Sequence, residues 1–97
     1  MIRHCVTFRF AEGVDHSAVA ALEVGLSSLP SAIPEIQDYW FGADLGLRDT
    51  NADFAVVADF ADEAGFSAYS THPAHVAVID ELVGPISVER SAVQFRW

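Results

Sequence analysis

The sequence has a single cysteine, Cys5, only five basic side chains against 14 acidic ones, and no long uncharged apolar run. Each scarcity excludes something. One thiol cannot close an internal disulfide, so a reducing, cytoplasmic setting is the natural expectation. A formal net charge of −9 repels phosphate backbones and anionic lipid, which argues against nucleic acid or a membrane surface as partner. Glu23, Pro30 and Pro34 break the most apolar third well short of the roughly 18 residues that a membrane span needs. Arg3 and Arg9 interrupt the stretch at the amino terminus where a signal peptide would carry its apolar run.

What is present is 52% hydrophobic and 20% charged. Ninety-seven residues form one domain, 1–97, and a chain of that size buries roughly 60–65% of its unfolded surface. The apolar excess asks for a generous core or for a second buried surface.

The hydrophobic pattern changes period along the chain. Residues 2–10 alternate strictly, with Ile2, His4, Val6, Phe8 and Phe10 on one face and Arg3, Cys5, Thr7 and Arg9 on the other, which predicts a strand. Asp15 is a candidate cap for a helix over 15–29, with Val19, Leu22, Leu26 and Leu29 as its apolar stripe and Pro30 as its end. Aromatic residues at 39–41 favour a second strand, with a polar loop starting at Gly42. Residues 53–60, DFAVVADF, read as an interior strand. A helix opens near Asp62, breaks at Pro73 and stops at Gly84-Pro85, and a last strand covers about 88–97.

Two βαβ halves joined strand to strand give the ferredoxin-like α+β fold, βαββαβ, a four-stranded antiparallel sheet with helices on one face. Its first and third strands are neighbours. One register sets Arg3 opposite Asp59, Cys5 opposite Val57, Thr7 opposite Ala55 and Arg9 opposite Asp53, with Val6 against Val56 and Phe8 against Phe54 on the other side. The face without helices then has a small apolar centre and ion pairs at its corners, as expected of a homodimer interface between two sheets.

Chemistry concentrates in YSTHPAHVAVID, residues 69–80. The residue before a proline is pushed out of the helical region, so His72 is expected to cap a new helix begun by Pro73, with His75 one turn in and kept neutral by the positive helix end. The bend brings Tyr69 toward His75. A phenol beside a neutral imidazole can act as general acid and base at a carbonyl; the same two groups can equally satisfy each other as buried polar side chains across the kink. His4, on the inward face with Val6 and Phe8, either lines the same cavity or is a satisfied core histidine.

No cofactor is expected. His72 and His75 supply at most half of a zinc site. DTNAD, residues 49–53, starts like a calcium loop, but Phe54 stands where the glycine is required. Cys5 reads as a small apolar filler.

IRHCVTFRF, LPSAIPEI, DFAVVADF and above all AYSTHPAH together resemble the stress-responsive A/B barrel (Dabb) domains, over nearly the whole chain. The resemblance implies dimerisation through the sheets into a shared α/β barrel. In polyketide cyclases of the olivetolic acid cyclase type within that family, a tyrosine and the last histidine of HPAH form the acid and base pair for an intramolecular aldol condensation. Tyr69 and His75 fall on those positions, and His4 on a pocket histidine. The expected cavity between sheet and helices is lined by His4, Val6, Phe8, Phe54, Val56, Tyr69 and His75, with His72 beside it. Three functions fit: a small-molecule lyase or cyclase, a binding or stability module without turnover, and a cofactor-free monooxygenase.

Overall fold

The computed structural model describes residues 1–97. Strand β1 (Ile2–Phe10) is followed by helix α1 (His16–Ser27), the short helix α2 (Leu29–Ala32), strands β2 (Asp38–Ala43) and β3 (Phe54–Phe60), helices α3 (Glu63–Thr71) and α4 (Pro73–Val78), a π-helical turn (Ile79–Val83) and strand β4 (Ser87–Arg96). The sheet is antiparallel in the order β2-β3-β1-β4, the ferredoxin-like arrangement.

Local chemistry sets the helix ends. The Asp15 carboxylate accepts from the Ala18 N–H at 3.0 Å and starts α1; Asp62 does the same for Gly65 at 2.9 Å and starts α3. Pro30 does not end the helical region as expected. It sits in the first turn of α2, where a missing N–H costs nothing, and α2 carries the chain on to Ile33. Gly42 likewise falls inside β2 rather than opening the loop, since the pairing with β3 runs on to Ala43.

The core lies between the inward face of the sheet and the helices. Val6, Phe8, Phe54, Val56, Ala58 and Phe60 from the strands meet Leu22, Leu26 and Leu29 from the first helical region and Tyr69, Val78 and Val83 from the second.

The β1–β3 register places Arg3 opposite Asp59, Cys5 opposite Val57, Thr7 opposite Ala55, Val6 opposite Val56 and Phe8 opposite Phe54. Arg3 grips Asp59 with both arms of its guanidinium, at 2.8 and 2.9 Å, and these hydrogen bonds hold the Asp59 carboxyl below the usual carboxylate range. The Arg9–Asp53 pair does not form. The β1–β3 pairing ends at Phe8 and Phe54, one residue short of it; the Asp53 carboxylate accepts the Phe10 N–H at 2.7 Å, and Arg9 pairs at 3.1 Å with Glu89, which stands opposite it on β4.

The outward face of the sheet has no helix over it. Trp40, Val93, Phe95 and Trp97 are 48, 57, 46 and 60% exposed there or at its margin, and the Arg3 guanidinium lies over the rings of Trp40 and Trp97 at 5.4 and 4.8 Å. No helix is long and apolar enough to cross a membrane.

The burial of α1 generates a prediction. Leu22 is fully buried whereas Val24, two residues on, points outward. Leu22→Ala is expected to cost about 3 kcal/mol, and Val24→Ala to stay within about 0.5 kcal/mol. Urea unfolding at fixed protein concentration reads both; equal losses would mean that the helix presents a different face.

Candidate functional site

The site is organised by the interruption between α3 and α4. His72 closes one helix and caps the other in an extended conformation, φ −62° and ψ 134°. Its ring Nδ1 accepts the Ala74 N–H at 3.1 Å. In an unbroken helix that N–H would bond the Ser70 carbonyl. The carbonyl is taken up by His75, whose Nδ1 lies 3.1 Å away. A carbonyl only accepts, so Nδ1 carries the proton and Nε2 is left with a free lone pair.

Tyr69 and His75 meet through ring faces, with centroids 4.1 Å apart and planes at 37°. They do not hydrogen-bond each other across the kink. The Tyr69 hydroxyl instead lies 2.9 Å from that of Tyr39. Burial raises the proton affinity of both phenols; the charge of Tyr69 and then the shared hydrogen bond raise that of Tyr39 further, and the hydrogen bond lowers that of Tyr69. When Tyr39 donates in this pair, Tyr69 keeps its own O–H for another acceptor.

Burial lowers the His75 pKa below the ordinary value of 6.5, opposed by the Ser70 carbonyl and assisted by the charge of Arg90. The imidazole is therefore neutral at pH 7, as expected, but desolvation is the leading cause rather than the helix end. The His4 imidazole, whose Nδ1 accepts from the Gln94 amide at 2.8 Å, is pushed down to about 4, chiefly by burial and then by Arg90. Its ring stands 5.1 Å from Phe66 and 6.2 Å from Tyr69.

These groups border a cavity of about 400 Å³ between the sheet and the α3, α4 and π-turn layer, within the range typical of small-molecule sites. Of the side chains expected to line it, His4, Val6, Phe8, Val56, Tyr69 and His75 do. Phe54 and His72 do not. Phe54 lies at the far end of the strand, buried between Phe10 and Phe41 at ring distances of 6.0 and 6.5 Å. His72 spends its ring on the α4 cap. The sequence reading missed Tyr39 and Arg90, which also border the cavity. Tyr39 was findable from the alternation of β2, which turns Tyr39 and Phe41 inward; Arg90 required the β1–β4 register that sets it opposite Phe8. No group of three or more His, Cys, Asp or Glu is placed to hold a metal ion.

The whole-chain comparison agrees with this geometry. The model of the family described as "Stress responsive A/B Barrel Domain" matches residues 2–96. The chain belongs to the stress-responsive A/B barrel (Dabb) family. Among solved structures, a dimeric ferredoxin-like protein from Thermobifida fusca is similar at 48% identity and a TM-score of 0.91, over 99% of this chain and 90% of that one. A Dabb family protein from Mesorhizobium loti shares the fold at 22% identity and a TM-score of 0.82, over 99% and 95% of the two chains. The hydroxynitrile lyase of Passiflora edulis shares it at 19% identity and a TM-score of 0.83, over 97% and 90%. No curated protein matches the sequence.

The buried histidines make stability pH-dependent. The folded His4 pKa of about 4 lies below the ordinary 6.5, so between these values the unfolded chain takes up a proton that the folded one refuses. Stability is full above pH 6.5 and is lost as pH falls toward 4, at up to about 1.4 kcal/mol per pH unit; His75 adds in the same sense. His4→Gln should flatten this limb in urea midpoints taken from pH 7.5 to 4.5. An unchanged slope would mean that His4 titrates alike in both states.

Proposed function

We propose that this Dabb protein is a homodimeric, cofactor-free lyase or cyclase that makes or breaks a carbon–carbon bond next to a hydroxyl or carbonyl group. The observation that carries the reading is a neutral His75, its Nδ1 held by the Ser70 carbonyl, packed on Tyr69 in an apolar cavity. In the cleavage direction His75 Nε2 takes the substrate's hydroxyl proton, the C–C bond breaks as C=O forms, and the departing carbanion recovers the proton from the imidazolium. The Tyr69 O–H donates to the reacting oxygen and Tyr39 steadies Tyr69. No electrons are gained or lost, so the step itself calls for no redox partner. Run backward, the same groups serve an aldol closure. The low proton affinity of His75 suits acidic protons, such as those of cyanohydrins and β-dicarbonyl compounds. A hydroxynitrile lyase of the same fold lends support to the class of reaction.

Dimerisation is proposed through the uncovered sheet face. Its exposed Trp40, Val93, Phe95 and Trp97 form the kind of apolar surface that a second copy buries, and the 48% identical Thermobifida fusca protein is described as dimeric.

Benzaldehyde release from mandelonitrile and from 4-hydroxy-4-phenylbutan-2-one, corrected for the uncatalysed rate, tests the activity. Tyr69→Phe and His75→Gln are each expected to lower the rate by about 10²- to 10⁴-fold while dimerisation and Tm change little. The wild-type rate should decline only as pH falls through the lowered His75 pKa, below 6.5. Variants that lose stability in step with activity, or that keep full activity, would leave the pair with a structural role.

A further inference from the structure

The cavity holds one feature that proton transfer by His75 does not use. All five basic side chains of the protein are arginines. Three of them are paired: Arg3 with Asp59, Arg9 with Glu89 and Arg96 with Glu63. Arg48 lies in the exposed loop before β3. Arg90 makes no ion pair, and it sits opposite Phe8 on the cavity side of the sheet. It borders the main cavity and also a second hollow of about 320 Å³ beside the π turn, so it stands between the two.

We infer that Arg90 is the specificity-determining residue of this cavity and selects substrates that carry a carboxylate on an otherwise apolar body. The inference rests on reading the cavity as a ligand site. In a chain of net charge −9, an anion meets repulsion almost everywhere; the unpaired Arg90 is the local exception. Guanidinium is permanently charged and its planar fork fits a carboxylate through two parallel hydrogen bonds. Asp80 of the π turn also borders the cavity, farther than 4 Å from Arg90, and it would repel a carboxylate from the rest of the rim. The position of Arg90 agrees with its electrostatic reach, since its charge bears on His4, Tyr69 and His75 together. A carboxylate held at Arg90 leaves the apolar part of the molecule between Val6, Val56 and Phe66, with its reactive carbon directed toward His75.

Cinnamate and cinnamamide share a shape and differ in charge, so they serve as probes. Binding at pH 7.5 is read from the side-chain NMR signals of the four histidines, assigned by substitution. Cinnamate is expected to bind at least about tenfold more tightly than the amide, equivalent to about 1.4 kcal/mol, and to shift His75 and His4 but not His16. Arg90→Gln should abolish that preference, weakening cinnamate more than the amide, and Arg90→Lys should restore part of it. Arg48→Gln, which removes the same charge from the loop, should do nothing. Added salt should narrow the gap between the probes. Two results overturn the inference alone: equal binding of both probes with His75 shifted, or a preference that survives Arg90→Gln. If neither probe shifts His75, the ligand-site reading fails with it. Arg90 is exposed on an edge strand, and Tm of each variant verifies that folding is retained.

Discussion

Pro73 lacks an N–H and its ring excludes the helical conformation from the residue before it. His72 is accordingly extended, and the helical layer over the sheet comes in two pieces rather than one. The chemistry of the site descends from that interruption. Breaking the helix frees two backbone groups, the Ser70 carbonyl and the Ala74 N–H, in a half-buried place where neither can be left unpaired. His72 satisfies one and His75 the other. The bond that satisfies the backbone is the same bond that fixes the His75 tautomer. A continuous helix would pair Ser70 with Ala74 and leave His75 without this anchor, and at about 100° per residue it would turn Tyr69 and His75 to different sides.

The surroundings then decide protonation. Apolar side chains make most of the cavity wall, and burial favours the neutral form of the two phenols and two imidazoles there: up for Tyr39 and Tyr69, down for His4 and His75. The result is a cluster of uncharged, hydrogen-bonded donors and acceptors. Tyr39 and Tyr69 share a hydrogen bond, Gln94 donates to His4, and Ser70 orients His75. Formal charge enters this neighbourhood from Arg90 and Asp80, both exposed at its border.

Strand parity carried most of the legible information. Alternation in β1 and β3 was enough to place His4, Val6, Phe8 and Val56 inward and to set Arg3 against Asp59. HPAH was enough to locate the helix break. What escaped depended on distances that parity does not encode. Phe54 has the correct parity but lies too far along its strand. Arg9 lost its expected partner because the β1–β3 ladder stops at Phe8 and Phe54, while Glu89 of β4 stands opposite it. His72 was correctly read as a cap, and that same role withdraws its ring from the cavity. Arg90 comes from β4, an outer strand whose contribution appears only once the sheet order is known; Tyr39 of β2 has inward parity, but parity alone does not say that its hydroxyl reaches Tyr69. The π turn, which brings Ile79, Asp80 and Val83 to the wall, has no sequence signal of its own.

The two faces of the sheet are not independent, because the same strands build both. Side chains alternate, so β1 presents His4, Val6 and Phe8 to the cavity and Arg3, Cys5 and Thr7 to the uncovered side. A slip of one residue against β3 would exchange these sets. It would also take Arg3 from Asp59, whose carboxylate the guanidinium covers and holds by two hydrogen bonds. The bidentate pair on the outer face thus pins His4 opposite Ala58 on the inner one. Trp40 and Trp97, stacked over the same guanidinium, tie this register lock to the surface proposed to meet a second copy. Association through that face would exclude water from the Arg3–Asp59 pair and strengthen its grip, and with it the alignment of the strand that carries His4 into the cavity.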